Sequence, residues 1–200
     1  MVNFEHASIR RLKEYAEENN IPIMQDAGIK FMVTFLTKNN IKNILEIGTA
    51  IGYSAIKMAM SDPDIHITSI EKDETRYLEA LKNIKKFDLE KRITLIFNDA
   101  ANVRLDDKYD LIFIDAAKAQ NIHFFEQFER NLKPHGFFLT DNISFHGLVQ
   151  KDEELIESKN VRGIVRKIKE YIKFLEENEE YNTTIRYELG DGIAISQKRN

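Results

Sequence analysis

Two groups of residues in this chain have the types and spacing to do chemistry. Asp115 closes the apolar run Leu111–Ile114, and Asp141-Asn142 closes Phe137–Thr140. Two carboxylates and an amide oxygen at neighbouring strand ends make a hard-oxygen donor set, of the kind Mg²⁺ or Ca²⁺ takes, with positions left for water and substrate. Asp and Asn are also common in turns. One alone would be read as a turn former; three at converging strand ends favour a metal site. Lys118 lies three residues after Asp115. The surface is the usual place for lysine, but near a metal and a second cation its pKa should fall, which makes it a candidate general base.

The second group is the segment Ile44-Leu45-Glu46-Ile47-Gly48-Thr49-Ala50-Ile51-Gly52-Tyr53-Ser54. Glu46 ends a short strand, Gly48 and Gly52 permit a sharp turn and close approach of a ligand to the backbone, and Ser54 begins a helix. The spacing is neither the dinucleotide fingerprint nor a P-loop, and no lysine follows the second glycine. Glu71, at the end of the next strand, can accept two ribose hydroxyls. Asp99-Ala100, at the end of the third, can read an adenine edge. The ligand suggested is a nucleoside without a phosphate clamp. The charge of Glu46 suits a cationic sulfonium amino acid better than a pyrophosphate. A buried strand followed by a tight turn explains the glycines alone; Glu71 and Asp99 beside them favour the nucleoside.

Positioning these residues requires alternating elements. The apolar periodicity predicts helices over about 4–19 and 26–38, the second with Ile29, Met32, Val33 and Leu36 on one face. Strands follow at 43–47, 65–70, 93–97, 109–114 and 136–140. Helices are expected at 52–60, 73–87 with Asp73 as its cap, 120–132 and 160–178. Two strands, 183–189 and 192–197, flank Gly190-Asp191-Gly192. This pattern implies a single α/β domain: 1–40 as N-terminal helices covering the site, 41–200 as a Rossmann-like, mostly parallel sheet with helices on both faces and one antiparallel strand. Ligands in such sheets bind at the carboxyl ends of the strands.

Composition excludes other classes. Hydrophobic residues are 42% and charged residues 31% of 200, as in ordered globular proteins. Without cysteine there is no disulfide and no zinc-thiolate site. Glu5, Arg10 and Arg11 interrupt any signal-peptide core, and no apolar run reaches membrane-spanning length. A cytoplasmic location is therefore expected. The five histidines form no zinc signature; His123 and His146 are read as surface or supporting residues. Phe124, Phe125 and Phe128 are read as core.

Ile44–Ser54, Glu71, Asp99-Ala100, Phe113–Lys118, Thr140-Asp141-Asn142 and Gly190-Asp191-Gly192 together resemble the metal-dependent O-methyltransferases of the catechol and caffeoyl-coenzyme A type, over nearly the whole chain. Ile21–Met24, Ile47–Ala55 and Asp141–Val149 look closest to the bacterial branch acting on tRNA 5-hydroxyuridine. The resemblance implies S-adenosylmethionine as cofactor, contacted by Met24, Ser54, Glu71, Asp99, Ala100 and Asp115. It implies Mg²⁺ (or Mn²⁺) on Asp115, Asp141 and Asn142, Lys118 near the methyl acceptor, and a homodimer. Two departures stand out: Ala50 replaces the second glycine of many methyltransferase loops, and Asn121 stands where many members have tyrosine.

Metal-assisted methyl transfer favours an acceptor with two adjacent oxygens. Catechols have that pattern, and so does 5-hydroxyuridine. Lys159, Arg162, Arg166, Lys169 and Lys173 recur at helical spacing opposite Val161, Ile164, Val165, Ile168, Ile172 and Leu175. Such a stripe can track phosphates of a tRNA anticodon loop or be an ordinary solvated face. The net charge of −4 is no support for nucleic acid. A small phenolic acceptor is the alternative. A non-catalytic cofactor- or RNA-binding module is the third reading, and the intact Asp115, Lys118, Asp141, Asn142 set argues against it.

Overall fold

The computed structural model describes residues 2–199, with side chains from residue 7. The chain divides into two compact units, Met1–Val103 and Arg104–Asn200, so the boundary falls well after the N-terminal helices.

Unit 1 begins with two helices, α1 (Val2–Glu18) and α2 (Asp26–Lys38). In α2, Ile29, Met32 and Leu36 fall on one face at three- and four-residue spacing and are buried with Gly28. Val33, expected on that face, is only half-buried. Then come β1 (Asn43–Ile47), α3 (Tyr53–Ser61), β2 (His66–Glu71), α4 (Glu74–Lys86) and β3 (Ile93–Phe97). β1 pairs in parallel with β2, and β2 with β3. Asp73 caps α4 as expected, its carboxylate accepting from Arg76 N at 2.9 Å.

Unit 2 contains β4 (Tyr109–Ile114), α5 (Asn121–Phe128), β5 (Leu132–Asp141), α6 (Lys159–Glu177), β6 (Tyr181–Arg186) and β7 (Ile193–Lys198). β4 and β5 are parallel, while β7 runs antiparallel to both β5 and β6. The single antiparallel strand is thus β7, between its neighbours rather than at an edge. Phe125 anchors the core of this unit, stacked on Phe138 at 3.9 Å between centroids and edge-on to Tyr181 at 4.9 Å.

The fifth helix is shorter than its sequence suggests, and the strand after it is longer. α5 stops at Phe128, a single 3₁₀ turn follows, and Leu132 already belongs to β5. The buried Asn131 amide binds the carbonyls of Leu105 and Asp107 at 2.8 and 2.9 Å, which ends the helix. Pro134 could not have continued it. The strand then shifts register: Tyr109 faces Leu132, but Leu111 faces Phe137. The surplus residues form a bulge with His135 left-handed at φ 60°. Among the described residues, no helix is long and apolar enough to cross a membrane.

Candidate functional site

The residues expected to cradle a nucleoside lie at the carboxyl ends of β1, β2 and β3. Gly48 and Gly52 take φ values of 100° and 84°, which a side chain would resist. Ala50, at φ 48°, holds the left-handed conformation without being glycine. Hydrogen bonds pin the loop, among them Gly48 N to Ile70 O at 3.0 Å, Gly52 N to Thr49 O at 2.9 Å, and the Asn83 amide to Ile51 O at 3.0 Å.

Glu46 lies beneath this loop and is fully buried. Its two carboxylate oxygens accept from Ser54 and Ser69, each at 2.5 Å, and Ser69 in turn bonds Thr49 at 2.6 Å. The structure thus ties Glu46 and Ser54, both expected at the cofactor, to each other. The carboxyl expected there is present, held by hydroxyls.

Glu71 accepts from the Ala50 amide at 2.7 Å and from those of Lys72 and Asp73 at 3.0 and 2.9 Å. An ionised carboxylate offers about four acceptor sites, so capacity for a ribose hydroxyl remains. Asp99 accepts from Ala101 N at 3.0 Å, and its other oxygen lies 3.7 Å from Lys72 Nζ. Ala100 is buried beside it. Met24 is buried over Gly28, where an added Cβ would sit 3.2 Å from its terminal methyl.

The acidic group lies in unit 2. Asp115 follows β4 and is partly exposed; Asp141 ends β5 and is only 4% exposed. Burial first, and then the Asp115 charge, push the Asp141 carboxyl up to about 7, against the opposing pull of Lys118 and of a hydrogen bond from the Asn142 amide. Lys118 Nζ lies 3.4 Å from Asp115 Oδ1 and 3.0 Å from the Asp141 carbonyl oxygen. Asn142 is left-handed at φ 65°, so it also serves as a turn former.

Among the described residues no three His, Cys, Asp or Glu side chains form a cluster. The expected metal set has two carboxylates and an amide. The observation that tests it is the state of Asp141: a buried carboxylate beside a like charge is stabilised by an added cation, and hard oxygens suit Mg²⁺ or Mn²⁺. The residues present fit the ion.

Other expected residues sit elsewhere. The stripe on α6 is mostly engaged locally. Arg162 binds the Ile156 carbonyl at 2.6 Å, Lys169 lies 3.8 Å from Glu153, and Lys173 lies 3.7 Å from Glu177. Of the opposing face, Val165, Ile168, Ile172 and Leu175 are buried, Val161 is half-buried and Ile164 is exposed. Tyr171 joins the buried face instead, with its hydroxyl 2.7 Å from Thr140 Oγ1. The His146 side chain is exposed.

Asp191 was legible only as part of a motif. Its carboxylate accepts from His146 N at 2.6 Å, and its carbonyl from Ser144 N at 2.8 Å. Phe145, His146 and Gly147 are all left-handed, so this loop after Asn142 needs the outside support. Asn121, the departure from the tyrosine pattern, is 1% exposed, and neither atom of its amide has a partner.

Comparison with known proteins identifies the family and the fold. The O-methyltransferase family profile matches residues 2–199. A caffeoyl-CoA O-methyltransferase of Populus kitakamiensis is 28% identical over 207 residues, covering 97% of this chain and 87% of that protein. A candidate caffeoyl-CoA O-methyltransferase structure from Staphylococcus aureus superposes with a TM-score of 0.90 at 42% identity, over 96% of this chain and 92% of that one. The S-adenosylhomocysteine-bound methyltransferase of Podospora anserina has the same fold, with a TM-score of 0.86 at 21% identity over 96% and 88% of the two chains. The fold is therefore the Rossmann-like α/β fold of methyltransferases, and the chain belongs to the O-methyltransferase family.

Proposed function

We propose that this chain is an S-adenosylmethionine- and divalent-cation-dependent O-methyltransferase acting on 5-hydroxyuridine in a tRNA anticodon loop to give 5-methoxyuridine. A cytoplasmic homodimer is its proposed working form. The observation that carries the reading is the buried Asp141 carboxylate, with Asp115 beside it and Lys118 fixed between them.

S-adenosylmethionine supplies the methyl group, and a divalent cation, when bound, makes an acceptor hydroxyl more acidic. The chain's own residues do the rest. Glu71 holds a ribose through its remaining acceptor capacity. Asp99 and Ala100 border the base, and Met24 closes over it. Glu46 steadies Ser54 and the glycine loop. Asp115, Asp141 and Asn142 would hold the cation by oxygen, and Lys118, in the neutral amine form that a nearby bound cation favours, would receive the proton that the hydroxyl gives up. Transfer to hydroxyuridine-containing tRNA by purified protein with S-adenosylmethionine and Mg²⁺ is the expected result. No transfer to such tRNA, with good transfer to catechols, would overturn the acceptor.

The second reading is a small phenolic acceptor. It is favoured by Arg162, Lys169 and Lys173 being engaged with groups of the chain itself, and by the names of the relatives. Nucleoside mass spectrometry of tRNA from cells lacking the protein separates the two. Loss of 5-methoxyuridine with gain of 5-hydroxyuridine supports RNA; an unchanged profile supports the phenol.

A further inference from the structure

A cleft of about 500 Å³ opens on unit 1 among α1, α2 and the start of α3. It is lined by four cations, Arg10, Lys13, Lys30 and Lys57, against one carboxylate, Asp26. That balance is opposite in sign to the chain's net −4. Lys13 is committed to Asp26 at 2.6 Å and Arg10 lies 3.5 Å from Glu14. Lys30 and Lys57 have no ion-pair partner among the described residues. Tyr53 also lines the cleft; its ring is buried, and its hydroxyl, near Asp26 and Lys13, has no hydrogen-bond partner among the described residues and is not a buried orphan. Tyr53 directly follows Gly52, so the glycine loop sets where its ring stands.

We propose that this cleft is a phosphate-binding subsite for the methyl acceptor, with Lys30 and Lys57 supplying the charge and the Tyr53 hydroxyl the directed hydrogen bond. Two ammonium groups and a phenol suit phosphate-ester oxygens. The proposal rests on the reading of the acceptor as RNA, whose phosphodiesters would be the source of the anion. A phosphate-bearing small acceptor offers the same chemistry. The α6 stripe is a weaker candidate because most of its cations are engaged locally.

The test compares wild type, Lys30→Gln/Lys57→Gln and Tyr53→Phe with three probes: an anticodon stem-loop RNA, coenzyme A, and S-adenosylmethionine as control. Fluorescence anisotropy should show about tenfold weaker RNA binding by the double variant, with the slope of log K against log salt reduced by about one to two. Cofactor affinity should not change, and Tyr53→Phe should weaken RNA binding without altering the slope. Equal RNA affinity and slope in wild type and double variant would overturn the subsite. RNA methylation intact in that case would leave the proposed function standing. If wild type binds no RNA but binds coenzyme A, and the double variant loses that binding, the subsite holds and the RNA acceptor fails. Binding of neither probe overturns it. A change in the sedimentation of the double variant, with binding untouched, would make the cleft a contact between copies of the chain and also overturn it.

Discussion

Lys118 donates to the main-chain carbonyl oxygen of Asp141 at 3.0 Å, not to that residue's carboxylate. Its contact with Asp115 is the longer one, at 3.4 Å. The side-chain nitrogen is thus fixed by a neutral acceptor, and both carboxylates keep oxygens for another cation. Replacing Lys118 by Met should lower kcat by about 10²- to 10⁴-fold, the usual range for removing a general base. Cofactor affinity should stay within about threefold of wild type if the proton is the lysine's only business with the reaction. Steady-state kinetics and calorimetric titration read the two quantities, and a kcat within twofold of wild type would remove Lys118 from the mechanism.

Asp141→Ala should abolish cation-dependent transfer while leaving cofactor binding nearly intact. Full activity of this variant in the presence of a chelator would refute the cation assignment.

The same residue makes stability depend on pH. Its folded carboxyl titrates near 7, above the ordinary carboxylate range, chiefly through burial. The folded state then binds a proton that the unfolded state releases between pH 4 and 7. This contribution is complete below the unfolded pKa and is lost as pH rises through about 7. Without divalent cation, thermal melts should show the wild type losing stability from pH 5 to pH 8. Asp141→Asn should lose less. Parallel curves for the two proteins would show that Asp141 does not titrate in this window.

Glu71→Ala should weaken S-adenosylmethionine binding by about tenfold or more, the scale of losing hydrogen bonds to a charged acceptor. It also frees the amides of Ala50, Lys72 and Asp73, so the glycine loop should exchange its amide hydrogens faster. Unchanged cofactor affinity would contradict the ribose role.

Ser69→Ala removes one of the two hydroxyls that hold the buried Glu46 carboxylate. The cost should be about 1–3 kcal/mol of folding stability, because a buried acceptor loses its donor. Chemical denaturation measures it. A loss below about 0.5 kcal/mol, the usual range of surface substitutions, would mean that water reaches Glu46 in the folded state.

The strand ends proposed to carry the chemistry were legible as strand ends because an acidic residue breaks an apolar run at Glu71, Asp115 and Asp141. Asp73 was legible as a cap because its side chain acts within one helical turn. The supports of these residues were not, because their partners are distant in sequence. Ser69 holds Glu46 from 23 positions away. Asn131 reaches Leu105 from 26 positions away, and no local pattern announces that the helix must stop there. Tyr171 meets Thr140 across 31 positions. The cleft at Tyr53 also escapes periodicity, since it exists only where two helices and a third helix's first turn leave a gap.

Asp191 stands 45 positions downstream of the His146 amide it accepts from. During synthesis, Asp115, Lys118, Asp141 and Asn142 therefore emerge long before the residue that braces the adjoining left-handed loop. A nascent chain stopped before Gly190 carries every acidic oxygen of the site but not the hairpin that braces this loop. The loop after Asn142 therefore gains this outside support only once the final strand pair has been made.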